Sequence, residues 1–131
     1  MIAFITLLAC STPSEQKNQT TPQANQSIME IDVETLYAKK QQNENLVIVD
    51  VRTPAEYNAG HIPSAQLIPL SALEASLSQL EEYKKQDIYL VCAVGGRSQQ
   101  ATMLLRKKGF TKAINVQGGT RGWKAKGYPL Q

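Results

Sequence analysis

The stretch from Ile88 to Ser98 constrains the fold of this 131-residue chain more than any other. Its first four residues, Ile88–Val91, are apolar and mostly β-branched or aromatic, as in a strand buried on both faces of a parallel sheet. Cys92 follows directly, at the sheet edge where ligands bind in open α/β folds. Gly95 and Gly96 allow a tight loop in which successive N–H groups point inward. The stretch therefore predicts a strand, a loop and a helix, with a cysteine at their junction.

The cysteine at this junction is predicted to be a nucleophile. The N-terminus of the following helix and the charge of Arg97 favour the thiolate, and thiols in such surroundings have pKa values of roughly 3.5–7.5. Ser98 is predicted to cap that helix. The alternative is a buried structural cysteine, but the attached Gly-Gly-Arg-Ser loop favours group transfer through a covalent cysteine intermediate. The predicted donors to the transferred group are the backbone N–H groups of Ala93, Val94, Gly95, Gly96 and Arg97.

Three motifs in this order resemble the signatures of the rhodanese sulfurtransferases. They are Asp50–Ala65 (DVRTPAEYNAGHIPSA), Cys92-x-x-Gly95-x-Arg97 and Gly118–Trp123 (GGTRGW). The resemblance extends over roughly residues 28–128 and implies a small rhodanese-like domain with about five strands. Ser64 stands where this family more often has glycine, so we expect a local adjustment of that turn.

The remaining pattern predicts the same fold class, α/β, with a parallel sheet and helices on both faces. Leu46–Val51 is a continuous apolar run with Asp50 near its carboxyl end, which predicts a central strand. Thr53–Glu56 and Ser71–Glu74 each have the spacing of a capping box, which predicts that a helix begins at each.

Four residues of the first signature are predicted to support the site. Arg52 and Glu56 are four positions apart, so they are expected to pair and brace the turn beside the sheet, although a catalytic role is an alternative. Asp50 is expected to support the Cys92 loop. The resemblance implies a structural role for His61, the single histidine, and the alternative is a general base.

Composition excludes several classes of function. The net charge is +3, from 14 basic and 11 acidic residues, and the basic residues are scattered, which argues against a nucleic-acid partner. Two cysteines and one histidine do not suggest a disulfide framework, a metal site or a Ser-His-Asp triad. No cofactor is expected, and the chain is expected to be monomeric because no apolar stripe is left over.

The N-terminal residues predict an envelope lipoprotein. Residues 1–10 form a short apolar run ending in Leu7-Leu8-Ala9-Cys10, which resembles a bacterial lipobox with Cys10 as the lipidated residue; a buried N-terminal strand is the alternative. Residues 11–27 are polar and predict a disordered tether, and residues 28–131 form the folded domain. The protein is then expected in the bacterial cell envelope, anchored only by its lipid and facing the periplasm or exterior. If the run is not a signal, the location is cytoplasmic.

The predicted activity is sulfur transfer through a persulfide on Cys92. A sulfane sulfur donor such as thiosulfate or a polysulfide supplies the sulfur, and cyanide, a small thiol or an envelope protein thiol accepts it. Because Ala93 and Val94 are uncharged, thiosulfate is expected to have a high KM. A cysteine phosphatase is disfavoured because only four residues separate Cys92 from Arg97, one fewer than in the related phosphatase loop. A sulfur carrier or interaction module with little turnover is the other alternative.

Overall fold

The computed structural model describes residues 29–131, which contain a five-stranded parallel sheet with helices on both faces. The strands are β1 Glu30–Asp32, β2 Val47–Asp50, β3 Gln66–Leu67, β4 Ile88–Val91 and β5 Ala113–Gln117. The helices are α1 Val33–Gln42, α2 Pro54–Asn58, α3 Leu70–Leu73, α4 Gly96–Lys107 and α5 Gly119–Ala125, with a 3-10 helix at Glu74–Tyr83. The order across the sheet is β1-β5-β4-β2-β3. The predicted fold class is confirmed.

Strand β4 shows why its sequence is apolar throughout. Ile88 and Leu90 point to the core layer formed with α3, the 3-10 helix and α4. Tyr89 and Val91 point to the opposite layer, formed with α1 and α5. Both faces of β4 are buried because helices cover both sides of the sheet.

The central position of β4 fixes where the site lies. It pairs with β2 on one side and with β5 on the other, all in parallel. Asp50 is in register with Val91, so the carboxyl ends of β2 and β4 lie side by side. The loop that begins at Cys92 therefore leaves the sheet next to the end of β2, where the first signature starts.

Of the two predicted capping boxes, only the first forms. The Thr53 hydroxyl accepts the Glu56 N–H at 3.3 Å, and the Glu56 carboxylate accepts the Thr53 N–H at 3.0 Å. The prediction that Ser71 caps a helix was wrong. The Leu70 N–H donates to the Val51 carbonyl at 3.0 Å and α3 already begins at Leu70, so Ser71 falls inside its first turn.

The turn at Ser64 shows the expected local adjustment. Ser64 has φ of +69°, and within residues 29–131 it is the only residue other than glycine with a positive φ. The Lys40 ammonium group donates to the Ser64 hydroxyl at 3.0 Å and to the Pro63 carbonyl at 2.9 Å. A serine therefore occupies a left-handed conformation that glycine adopts more easily.

Candidate active site

The candidate active-site loop, residues 92–98 and called the active-site loop below, runs from the end of β4 into the first turn of α4. Cys92 follows β4 directly, and α4 begins at Gly96 with Gly95, at φ +120°, in the N-cap position. The prediction that Ser98 caps this helix was wrong. The helix begins three residues earlier than a Ser98 cap would require, because Gly95 takes a backbone conformation that side chains rarely adopt and serves as the N-cap. Ser98 is instead a fully buried residue of the first helical turn.

The Cys92 sulfur is held by donors of this loop. The Gly95 N–H donates to Sγ at 3.0 Å, and the Ser98 hydroxyl lies 3.3 Å from Sγ. Burial raises the pKa of the thiol, since Cys92 is only 1% exposed. The Ser98 hydroxyl and the N–H groups of Ser98, Gly95 and Val94 lower it by more, so the pKa of Cys92 is below its usual value. The arrangement favours a thiolate, which is the reactive form of cysteine.

The other residues of the loop have different surroundings. Ala93 is half-buried, and its carbonyl accepts a hydrogen bond from the Arg121 N–H at 3.0 Å. Val94 is 59% exposed at the tip of the loop, and Gly96 is exposed as the first residue of α4. The loop thus has a closed inner side toward Sγ and an open outer side.

A buried asparagine, missed at the sequence level, contacts the Ser98 hydroxyl. Asn115 Oδ1 lies 2.6 Å from the Ser98 Oγ, and the Asn115 amide donates to the Glu30 carboxylate at 3.2 Å. A hydroxyl has one proton and rotates freely, so this proton can turn from Asn115 to a thiolate on Cys92. A sequence signal existed, because Asn115 is a polar residue inside the apolar strand β5.

Arg97 is bound by the first signature. Its guanidinium donates two hydrogen bonds to the Glu56 carboxylate, at 2.9 and 2.8 Å. The Arg97 guanidinium holds the pKa of Glu56 well below its usual range, and Glu56 in turn raises the pKa of Arg97. The two terminal nitrogens of Arg97 are therefore both engaged by a carboxylate.

The predicted pair between Arg52 and Glu56 was wrong. Arg52 binds Asp50 instead, with Nη2 2.8 Å from the carboxylate, and it also donates to the Gly60 carbonyl at 2.8 Å. The i,i+4 rule fails because α2 begins only after Thr53, so Arg52 precedes the helix and does not share its spacing. Asp50 and Arg52 are both buried and close the turn after β2, and the side-chain contacts of Asp50 are with Arg52 rather than with the Cys92 loop.

His61 packs within its own turn. Its ring stacks on the Tyr57 ring with centroids 3.7 Å apart, and its Nδ1 lies 3.0 Å from the Tyr57 carbonyl oxygen. Among the described residues, its hydrogen bonds are to Tyr57 and, through the backbone, to Gln131. This geometry favours the structural role that the resemblance implies.

The first turn of α5 is bound to the backbone of the active-site loop. The N–H of Thr120 donates to the Cys92 carbonyl at 2.9 Å, next to the Arg121–Ala93 bond. Gly119 has φ of +54°, and a Cβ at this position would lie 2.2 Å from the Cys92 carbonyl oxygen. Only glycine allows this close approach, which gives a physical reason for the Gly-Gly pair of the third motif.

Two further findings concern the described residues. Residues 29–131 contain no cluster of three His, Cys, Asp or Glu side chains placed to hold a metal ion. Over the same range, every helix falls short of the length and apolar character of a membrane span. Cys10, the predicted lipidation site, lies outside the described residues.

Comparison with known proteins decides the family. The Rhodanese-like domain model matches residues 32–126, which is most of the chain. The chain belongs to the rhodanese-like domain family. A sulfurtransferase from Allochromatium vinosum is 34% identical over 103 residues, which are 79% of this chain and 94% of that protein.

Two other relatives extend the comparison. Bacillus subtilis YrkF, whose name provisionally describes it as a sulfur carrier protein, is 41% identical over 76% of this chain, but this match spans only 53% of YrkF. A Staphylococcus aureus rhodanese-like domain protein of known structure is 35% identical, with a TM-score of 0.68 over 73% of this chain and 91% of that one. Rhodanese-like relatives thus include a protein named as a sulfurtransferase and one named as a carrier.

The three rhodanese signatures meet around the loop that carries Cys92. The first supplies Glu56, which binds Arg97 of the second. The third supplies the N–H groups of Thr120 and Arg121, which bind the carbonyls of Cys92 and Ala93. The loop around the thiol is therefore fixed from two sides.

Proposed function

We propose that this protein is a sulfurtransferase that moves a sulfane sulfur from a donor to a nucleophilic acceptor through a persulfide on Cys92. The observation that carries the proposal is the arrangement of donors around Sγ: the Gly95 N–H at 3.0 Å, the Ser98 hydroxyl at 3.3 Å and a lowered thiol pKa. Such donors favour an anionic sulfur before and after transfer. Family membership supports the same class of reaction.

The reaction has two displacement steps. The Cys92 thiolate attacks the outer sulfur of thiosulfate, the sulfur–sulfur bond of the donor breaks, and sulfite leaves with the electron pair. Cyanide or a thiolate then attacks the terminal sulfur of the persulfide, and Cys92 leaves as a thiolate. The products are thiocyanate or a new persulfide, and no external oxidant or reductant is consumed.

Thiosulfate is expected to be a weak donor. Ala93 and Val94 carry no charge, and both terminal nitrogens of Arg97 are already bound to Glu56. The loop alone therefore offers a doubly charged donor its N–H groups and little uncompensated positive charge. A high KM for thiosulfate follows from the loop alone, and a KM that is low and stays low when positive charges outside the loop are removed would contradict this part of the proposal.

The second candidate is a sulfur carrier that passes its persulfide to a protein thiol with little turnover of small substrates. The similarity to YrkF favours it. The two candidates share the persulfide and differ in turnover. Steady-state rates with small donors and acceptors, compared with transfer from loaded Cys92 to a protein thiol, separate them.

The decisive measurement is the intact mass of the protein before and after incubation with thiosulfate, for wild type and Cys92→Ser. A gain of one sulfur on the wild type, removed by cyanide and absent from the variant, is the expected result. No gain with thiosulfate, a polysulfide or a thiosulfonate would overturn the sulfurtransferase and the carrier together, and would leave a binding role.

A lipid anchor at Cys10 and an envelope location, facing the periplasm or exterior, belong to the same proposal and rest on the sequence of residues 1–10 alone. Metabolic labelling with a fatty-acid analogue tests both. We expect label on the wild type and none on Cys10→Ser. An unlabelled wild type, recovered in the soluble fraction, would contradict the anchor.

A further inference from the structure

A charged cleft of about 160 Å³ lies beside the active-site loop, between α2 and α5. Its polar lining comes from two elements that contact the loop: Glu56 of α2, which binds Arg97, and Thr120 of α5, which binds the Cys92 carbonyl. Arg52, Arg121 and Lys124 also line it. The walls of the cleft are therefore held in a fixed position relative to the nucleophile.

The charges in this cleft are not equally available. Arg52 is buried and paired with Asp50, and Glu56 is paired with Arg97. Arg121 and Lys124 are exposed, and their side chains form no ion pair or hydrogen bond with any residue in the range 29–131. The cleft therefore carries two uncompensated positive charges, both from α5.

The two cations also share one side of their helix. Arg121 and Lys124 are three positions apart in α5, a spacing that places side chains next to each other. The Arg121 N–H is bound to the Ala93 carbonyl, so this side of the helix begins at the active-site loop. A small anion bound between the two cations would lie on the helix whose first turn contacts the loop that carries Cys92.

We propose that Arg121 and Lys124 form the subsite for the anionic end of the sulfur compound that reacts at Cys92. This inference rests on the proposed sulfur transfer and deepens it by naming the substrate class. The ligand is a small molecule with one reactive sulfur and a negatively charged group, and it is a thiosulfate-like donor or a carboxylate-bearing thiol acceptor. The loop binds the sulfur that is transferred, and α5 binds the charge that is not.

The test compares the variant Arg121→Gln/Lys124→Gln with the control Lys107→Gln/Lys112→Gln. Both variants lose two exposed positive charges, but Lys107 and Lys112 lie away from the cleft. For the cleft variant, we expect kcat/KM to fall about tenfold through KM, since two partly solvated contacts are lost. The control is expected to stay within about twofold of wild type, because its lost charges act only at long range.

The substrates separate the two sources of negative charge. If kcat/KM of the cleft variant falls with thiosulfate, and by the same factor whether the acceptor is cysteine or its methyl ester, which lacks the carboxylate, the subsite belongs to the donor. If kcat/KM of the cleft variant falls with mercaptosuccinate as the acceptor but not with 2-mercaptoethanol, the subsite belongs to the acceptor. Equal kcat/KM values for wild type and the cleft variant with every anionic substrate would overturn the inference.

A binding measurement keeps this test independent of turnover. Cys92→Ser protein is titrated calorimetrically with thiosulfate, sulfite and mercaptosuccinate, with and without the two α5 substitutions. We expect binding that weakens with added salt and is lost with the substitutions. If wild type gains the persulfide but neither binding nor KM depends on Arg121 and Lys124, the sulfur-transfer proposal stands and this inference fails. If no donor loads Cys92, both fail.

Discussion

The Glu56 carboxylate accepts two hydrogen bonds from the Arg97 guanidinium, a residue 41 positions later, at 2.8 and 2.9 Å. This pair joins the first signature to the active-site loop. Both side chains are a little over one third exposed, so the pair positions Arg97 more than it stabilises the fold. The same carboxylate closes the capping box of α2, which fixes its direction.

The first prediction concerns the pH dependence of this pair. In Glu56→Gln the capping box is retained, because glutamine serves in it, but the ion pair is lost. Since Arg97 lowers the pKa of Glu56, the pair stabilises the protein at neutral pH and is lost only as pH falls through that lowered pKa. We expect the variant to be less stable by about 0.2–1 kcal/mol at pH 7, with the difference vanishing in strong acid.

Urea unfolding at several pH values measures this difference. Thr53→Ala is the comparison variant, because it removes both hydroxyl hydrogen bonds of the capping box and leaves the Glu56–Arg97 pair in place, so its loss of stability measures the cap. A Glu56→Gln difference that stays the same in strong acid would show that the lost stability does not come from the ion pair.

The second prediction concerns the thiol. Ser98→Ala removes the hydroxyl that lies 3.3 Å from Sγ and lowers the pKa of Cys92. We expect the thiol pKa to rise in the variant, so the rate of persulfide formation should reach its plateau at a higher pH. The ultraviolet absorbance of the thiolate, recorded against Cys92→Ser, gives the pKa directly. Ser71→Ala, an exposed serine in α3, is the control, and an unchanged thiol pKa in Ser98→Ala would contradict the role of the hydroxyl.

The third prediction compares two glycines of the site. In Gly119→Ala the new Cβ meets the Cys92 carbonyl oxygen at 2.2 Å, so the loop or α5 has to move. We expect a loss of about 1–3 kcal/mol in unfolding free energy, together with slower persulfide formation. Gly96→Ala is the matched control, because no atom lies within 4 Å of its Cβ. We expect the control to stay within about 1 kcal/mol of wild type. If the two variants are equally stable and form the persulfide equally fast, the close approach of Gly119 to the Cys92 carbonyl oxygen is contradicted.

The fourth prediction concerns the turn at Ser64. Its φ of +69° is unfavourable for a residue with a Cβ, so Ser64→Gly should raise the unfolding free energy by about 0.5–1 kcal/mol. Ser64→Ala separates the backbone from the side chain, because it removes the hydroxyl that binds Lys40 and keeps the strain. We expect no gain from Ser64→Ala in thermal or urea unfolding. A gain of the same size in both variants would place the effect in the hydroxyl instead.

The sequence was a good guide where structure is local or fully apolar. Strand β4 could be predicted because burial on both faces demands apolar residues at every position. The capping box at Thr53 could be predicted because its two partners are three residues apart. The position of Cys92 followed from the strand before it.

The sequence was a poor guide where the site depends on contacts between distant segments. Glu56 binds Arg97 rather than Arg52, and Ser98 binds Asn115 rather than capping a helix. Periodicity describes neighbours along one helix, and these partners come from separate elements that meet only because the sheet is parallel. The error at Ser71 has the same origin, since α3 starts at Leu70, whose N–H binds the Val51 carbonyl just after β2.

The hydrogen bonds from Thr120 and Arg121 to the active-site loop also have a consequence for the order of events during synthesis. The ribosome makes Cys92 well before it makes α5, so the emerging cysteine lacks the backbone contacts that shape its loop. The conformation with a favoured thiolate is complete only once the chain has passed Arg121. A newly made molecule therefore cannot complete the surroundings of its thiol until its C-terminal helix is in place.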